Sequence, residues 1–510
     1  MSQTTRDMAS RSPQAAVVTA ESQEQSAFEA WGKKYGFMLS LAVGLAIWLI
    51  PTPATMTITQ HKLLAIFGGA VVVWITIGVN FAVSALGIVV LLYFWVGNPE
   101  GKLNAGGRLV RDANFAVGGY GTASLWLLVT GYIISIAMIH SGVARRLTLH
   151  MMRILGRTPG GAIFASMLAN FIVAPMTPSN TARTAAMLPI VEGIAEAYQV
   201  QPGKSRFGKA LFLATTFTSN ITGSAFMTGT IPNPVAIGMI AAAAGVSLYT
   251  SWSYWALAAL PTNVIILVVT GVLLVKLFPP EVKALPGGIE YIRRELAAMG
   301  PMSAREKKAV LYFLIALVLW STDVFHQFNA TMVAFFASFL IFVPRFGVLD
   351  WKESEKAISW ELFVYFGGVL TLSDALTRSK AFEWVIQGLL NSLGLHSIPM
   401  MPLLIILLGF SIFSHIIWST TTAMVGVMIP IYIGLAQTLG FNVVSFVLPQ
   451  AIMMAYAMFL PFNTMGNIIM FSSGYYTVIE QLKSSLLLNA IIWLLWIVTA
   501  LTWWRFIGLL

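Results

Sequence analysis

The sequence predicts an all-α polytopic membrane protein of about eleven spans plus two re-entrant hairpins, arranged as two inverted repeats. Three observations predict it. Hydrophobic residues fill 57% of the 510 positions and charged residues only 10%, outside the usual range of soluble domains. Apolar stretches long enough to cross a bilayer recur, and shorter ones come in pairs joined by polar residues. The second half of the chain also repeats a distinctive segment of the first.

Residues 1–34, rich in Ser, Gln, Ala and Glu, have no apolar core and contain acidic residues. They are expected to be a disordered cytosolic lead, not a signal or transit peptide. Apolar runs of about 17 residues or more place spans near 37–52, 61–80, 82–97, 123–142, 207–228, 253–278, 309–325, 330–344, 360–377, 442–461 and 484–508. The pieces 161–176, 183–198, 400–417 and 423–438 are each short and come in pairs with polar joints. That pattern suits hairpins that enter and leave on one side.

Basic residues set the orientation. Lys33 and Lys34 precede the first span, Arg145, Arg146, Arg153 and Arg157 follow the fourth, and the loop 279–308 carries Lys283, Arg293, Arg294, Arg305, Lys307 and Lys308. All three clusters fall on one side, the cytoplasm, provided the hairpins are re-entrant. The loop 98–119, assigned outside, dissents mildly with Lys102, Arg108 and Arg111. The expected location is an inner membrane, with the N-terminus cytoplasmic and the C-terminus outside. There is no cysteine, which excludes disulfides and thiolate metal sites. The net charge of +10 follows from the positive-inside bias, and no nucleic-acid partner is expected.

Laying SNTARTAAMLPIVEGIA (179–195) over TTTAMVGVMIPIYIGLA (420–436) matches Thr181/Thr422, Ala182/Ala423, Met187/Met428, Pro189/Pro430, Ile190/Ile431, Gly193/Gly434 and Ala195/Ala436 without gaps. Downstream, TGTIPN (228–233) aligns with FNTMGN (462–467) through Thr230/Thr464 and Asn233/Asn467. Each half is thus a hairpin with a polar tip, followed by a broken span. The first hairpin enters from the cytoplasm and the second from outside, so the repeats are inverted. This is the pattern of a secondary transporter with its site near the midplane.

Backbone at a tip or break persists in a membrane only where it faces protein or a wet cavity. Ser179, Asn180 and Thr181 stand where the returning arm begins, as do Thr420, Thr421 and Thr422. Such residues cap helices, and a helix start presents free N–H groups and partial positive charge to an anion. Two starts facing each other suit a small dicarboxylate. The breaks at Gly229–Thr230 and Asn463–Thr464 complete the expected site, with Gly229 allowing close backbone approach. Unwound carbonyls there also admit sodium.

Arg183 costs about 2.5–3.5 kcal/mol to bury in a membrane, and no acid lies within a turn of it. Either it meets a substrate carboxylate or supplies fixed charge beside one, or it is a structural arginine snorkelling or capping a neighbouring helix. His415, five residues before Thr420, is either a packing residue or a charge donor and proton carrier. Asp323, Asp374 and Glu480 fall at span ends, where solvation accounts for them.

With these residues in view, the chain resembles the divalent anion/sodium symporter family over residues 35–510. That family carries Ser-Asn-Thr signatures at both tips and a Gly-Thr-Pro-Pro-Asn-like signature at each break. The first tip is intact as Ser179–Asn180–Thr181; the second reads Thr420–Thr421–Thr422 and loses the asparagine. The breaks read Gly229–Thr230–Ile231–Pro232–Asn233 and Asn463–Thr464–Met465–Gly466–Asn467, without the double proline. The resemblance implies an elevator-type homodimer in the lipid bilayer. Its division would be a scaffold (35–159 and 308–398), a mobile transport domain (160–280 and 399–510) and a cytosolic linker (281–307).

The resemblance further implies transport of di- or tricarboxylates such as 2-oxoglutarate, malate or succinate, or of sulfate in some branches. Arg183 after the first signature, Pro178 before it, and His415 resemble the exchanger branch, in which cationic side chains replace sodium as charge compensation. The run Thr184–Pro189 and Asn463 resemble the sodium-coupled branch. Sodium-independent exchange is therefore expected without a cofactor, with sodium symport and proton coupling through His415 as alternatives. An enzyme would need a nucleophile–base pair or metal cluster; the six histidines are scattered, with no HExxH and no cysteine. A channel would need a continuous polar pore, and a cation/proton antiporter an acid at the tips.

Overall fold

Among the described residues the one β pairing is a bridge between Leu103 and Leu109; everything else that is regular is helical. The computed structural model describes residues 30–245, 251–282, 286–393, 399–418 and 420–510. The expected lead 1–34 lies outside these, apart from its last residues, which run into the helical turn Gly32–Gly36.

The first half contains α1 (Phe37–Leu49), α2 (Ile58–Thr76), α3 (Phe81–Leu91), α4 (Ala123–His140), α5 (Val143–Leu155), α6 (Pro159–Val173), α7 (Asn180–Ala197), α8 (Arg206–Ala225), α9 (Pro232–Ala244) and α10 (Trp252–Leu277). The second contains α11 (Pro286–Met299), α12 (Ala304–Ser321), α13 (Ala330–Phe342), α14 (Trp360–Ser379), α15 (Ala381–Leu393), α16 (Met400–Phe413), α17 (Thr421–Leu439), α18 (Val443–Met453), α19 (Met465–Phe471) and α20 (Val478–Leu501). Short turns join them. Several starts are fixed by reciprocal caps, Thr57 with Gln60, Ser303 with Glu306 and Thr477 with Glu480, which satisfy amides that have no partner inside the helix.

The halves pack with exchanged partners. Helix α7 lies on α19 and α17 on α9; α6 lies on α8 and α16 on α18; α4 lies on α13 and α14 on α3. Helices ten labels apart therefore correspond, and the repeat seen in residues 179–195 and 420–436 reaches back to the α3/α13 pair. Phe94, Phe339 and Leu494 are 63%, 66% and 57% exposed, an apolar outer surface that suits lipid. In contrast, α8 is buried continuously from Ala210 to Ala225.

Six helical stretches among the described residues are long and apolar enough to cross a bilayer, and Pro159–Met176 and Thr421–Leu439 are among them. These two are hairpin arms in the sequence reading and are longer than the short pieces expected there. The expected span 442–461 is helical only to Met453, and the last span begins at Val478 instead of 484. Helices α5 and α15 were not foreseen. Both are amphipathic and short, so an apolar-run scan passes over them.

The α4-to-α5 turn needs Gly142, whose φ is +88°, a conformation costly for L side chains. The corresponding α14-to-α15 turn puts Lys380 at φ +55°.

Candidate transport site

The first hairpin turn is built by residues that stop one helix and start the next. After α6 comes a 3₁₀ turn, Ala174–Met176, then extended chain that Pro178 keeps out of helix. Ser179 Oγ accepts the Ala182 amide at 3.2 Å, opening α7. The second turn repeats this plan: a 3₁₀ turn, Ser414–Ile416, and Thr420 Oγ1 accepting the Ala423 amide at 3.1 Å. Thr421 and Thr422 form the first turn of α17, half-buried like Asn180 and Thr181.

The breaks also correspond. Chain between α8 and α9 holds a 3₁₀ turn, Met227–Gly229, then extended Thr230 at φ −151°. Between α18 and α19 it holds Pro461–Asn463, then extended Thr464 at φ −147°. Asn233 Nδ2 donates to Gly223 O at 2.7 Å and Phe226 O at 3.0 Å. Asn467 Nδ2 donates to Ala457 O at 2.8 Å and Leu460 O at 3.2 Å. These side chains replace the amide donors that the interrupted helices lack. At Gly229 a Cβ would stand 2.6 Å from Thr222 O, so the break folds tightly onto α8 only with glycine there.

Arg183 ties the first turn to the first break. One terminal nitrogen donates to Thr177 O and, at 2.7 Å, to Gly229 O. The other donates to Asn180 Oδ1 at 2.6 Å and to Ser219 O at 2.9 Å. The side chain is 1% exposed, and its Nε has no partner. The guanidinium is thus turned toward the protein's own oxygens, three carbonyls and one amide, with no carboxylate among them.

The first turn of α7 sits between both breaks. A Cβ at Gly223 would stand 3.1 Å from Asn180 Oδ1 and 3.5 Å from Thr230 Cβ; one at Gly466 would stand 2.9 Å from Thr184 Oγ1 and 3.3 Å from Asn180 O. Asn180, Thr230 and the start of α19 after Thr464 are therefore neighbours. Asn463 works within its own half, donating to His415 O at 2.8 Å and Trp418 O at 3.0 Å. His415 is 1% exposed; its Nε2 is 3.1 Å from Met454 O, and its Nδ1 has no partner. Helix α17, which Thr420–Thr422 open, packs on α9.

The sequence reading missed the layer behind Arg183. Asn170 Nδ2 donates to Ser219 Oγ at 2.8 Å, Thr184 Oγ1 to the same oxygen at 3.0 Å, and Thr222 Oγ1 to Asn170 Oδ1 at 3.2 Å. It also missed Tyr456, whose hydroxyl donates to Asn263 Oδ1 at 2.8 Å and accepts from Ser224 and Trp496. That hydroxyl joins both breaks to α10 and α20. The available signal was TTFTSNITGS (215–224), a polar run inside an apparent span that no lipid-facing helix would carry.

The sequence model described as the sodium:sulfate symporter transmembrane region matches residues 32–510. The chain belongs to that family. Members are membrane transporters, so the chain is a multi-pass transporter and not an enzyme. It is 27% identical to a membrane protein of Cupriavidus necator, over 93% of each chain. It is also 27% identical to the L-tartrate/succinate antiporter of Escherichia coli strain K12, over 92% of this chain and 97% of that one. Among solved structures, the Alcanivorax borkumensis YdaH transporter superposes with a TM-score of 0.55 at 13% identity, covering 84% of this chain and 99% of that one. At that identity the likeness concerns the fold.

Proposed function

We propose that this protein exchanges small dicarboxylates across an inner membrane without sodium, and that the hairpins and broken helices move together past the remaining helices as an elevator. One observation carries the reading. A fixed cation, the Arg183 guanidinium, stands among the oxygens of Thr177, Gly229, Asn180 and Ser219, where the first tip and first break meet. Positive charge held there offsets a dianion bound at the helix starts beside it. With the guanidinium's full charge and about half a charge from each of the two helix starts, the loaded carrier crosses nearly neutral, whereas the empty one carries unpaired charge into the membrane at a cost of several kcal/mol. Return is then favoured only with a second anion aboard, which is exchange. The similar Escherichia coli protein is named an antiporter of two dicarboxylates, which supports the same reading.

In this scheme Ser179, Asn180, Thr181, Thr230, Thr420, Thr421, Thr422 and Thr464 line the anion site, with Gly229 and Asn463 shaping it. Arg183 supplies the compensating charge, while His415, 1% exposed and with Nδ1 unpartnered, fits the packing alternative better than the charge donor. The N-terminus is cytoplasmic, the C-terminus is outside, and the protein is a homodimer. The family description favours a second reading, sodium-coupled transport of such anions or of sulfate, with sodium at the unwound carbonyls.

Uptake of labelled succinate into proteoliposomes separates the two. Exchange predicts uptake that needs internal dicarboxylate and is equal in sodium and choline. Uptake into empty vesicles driven by a sodium gradient would overturn it.

A further inference from the structure

We infer that helix α11 (Pro286–Met299) is a releasable wedge that holds the first hairpin in the position seen here; the inference rests on the moving-hairpin reading above. The repeat exposes the wedge as an asymmetry. Gly193 of α7 and Gly434 of α17 are aligned positions. A Cβ at Gly434 would meet the neighbouring amphipathic helix α15, at Phe382 (2.6 Å) and Ile386 (3.1 Å). A Cβ at Gly193 would instead meet the Tyr291 ring of α11, with Cζ and Oη both at 2.3 Å. The place that α15 takes in the second half is taken in the first by a helix from the loop between the repeats.

The far end of α11 is anchored to α5, which also packs on the hairpin arms α6 and α7, and through Arg146 to α12. Arg145 of α5 pairs with Glu295. Arg146 donates to Gly300 O at 2.9 Å, to Met299 O at 3.3 Å and to Glu306 of α12 at 2.6 Å. Helix α11 is thus fixed to α5 and α12, while Tyr291 is seated in the notch left by Gly193. If α7 travels with its hairpin, that seat must empty during each passage. Beside Gly434 the insert is Phe382 of α15, a helix of the same repeat, and no helix from the loop between the repeats reaches it among the described residues. A cavity of about 290 Å³ adjoins that contact, lined by Thr377, Lys380, Phe382, Glu383, Gln437 and Thr438 among others.

The chain has no cysteine, so introduced pairs can be cross-linked alone. Gly193→Cys with Tyr291→Cys tests the wedge. Ser124→Cys with Gly238→Cys tests the motion itself, because a Cβ at Gly238 would stand 2.7 Å from Ser124 Cβ, between α4 and α9. Each pair is joined by a short bis-methanethiosulfonate reagent in proteoliposomes, and succinate exchange is measured before and after reduction.

The expected result is that both cross-links stop exchange and that dithiothreitol restores it. If the 124/238 cross-link stops exchange and the 193/291 cross-link does not, the wedge is overturned while the moving hairpin stands. If neither slows exchange, the moving-hairpin reading fails and the wedge with it. Should the 193/291 pair be inactive even when reduced, Tyr291→Ala is placed in the 124/238 background. Losing the wedge depopulates the observed position, so that pair should cross-link about threefold more slowly; an unchanged rate overturns the proposal.

Discussion

Asn233 and Asn467 make the same pair of hydrogen bonds, each donating to the carbonyls ten and seven residues before it. Asn467 is further held by Asn220 Nδ2, which donates to its Oδ1 at 2.9 Å, so a first-half helix steadies the second-half clamp. Replacing either clamp strands one carbonyl, Gly223 O or Ala457 O, at a cost of about 1–3 kcal/mol, because Phe226 O and Leu460 O also accept the Gly229 and Asn463 amides. Asn233→Ala and Asn467→Ala should each lower the melting temperature in detergent and remove most transport. Asn→Asp should do no better, since a carboxylate cannot donate; wild-type transport by Asn467→Asp would contradict the assigned role.

Arg146 and Glu306 meet at 2.6 Å with side chains 10% and 4% exposed. Burial pushes the Glu306 carboxyl up, but hydrogen bonds from Arg146 and from the Ser303 amide outweigh it and hold it below its ordinary 4.5. A carboxyl depressed on folding contributes stability above its unfolded pKa and loses it as pH falls through the lower folded value. Wild-type melting temperature should therefore drop below about pH 4.5 partly through Glu306. Glu306→Gln should flatten that part of the profile and cost about 1.5–3 kcal/mol at neutral pH. Melting curves of both proteins across acid pH check this.

Gly142 and Lys380 make corresponding turns at φ +88° and +55°, one with glycine and one without. Left-handed backbone costs an L residue roughly 1–2 kcal/mol. Gly142→Ala should destabilise by about that amount, since the nearest atoms to a new Cβ are 3.6 Å away or more and no clash adds to the strain. Lys380→Gly should stabilise by about 0.5–1 kcal/mol. Thermal unfolding in one detergent gives both signs.

The repeats and both tips were legible because Pro, Gly and hydroxyl residues recur at matched positions in otherwise apolar chain, and those residues act locally on the backbone. The second break falls at Asn463–Thr464 as expected, but the span before it, expected over 442–461, is helical only to Met453. Residues 454–461 read MAYAMFLP, apolar enough for a span, yet their carbonyls are served from elsewhere by Asn467 and by Gln481, whose Nε2 donates to Met458 O at 3.0 Å. Hydropathy reports what surrounds a segment, and long-range donors decide whether it is helical. The same gap hid the partners of Arg183. Its distance in sequence from any acid was plain, but carbonyls at Ser219 and Gly229 carry no mark in the sequence.

In the exchange scheme proposed above, the Arg183 guanidinium supplies the positive charge a bound cation would otherwise provide. Succinate binding by calorimetry to purified wild type and Arg183→Ala, each in choline and in sodium, tests it most directly. Wild-type binding should be equal in both salts. Binding by Arg183→Ala should be weakened about a hundredfold or more in choline and partly restored by sodium, which the vacated oxygens would then hold. Wild-type binding that requires sodium, or an Arg183→Ala protein that binds as tightly as wild type in choline, would contradict it.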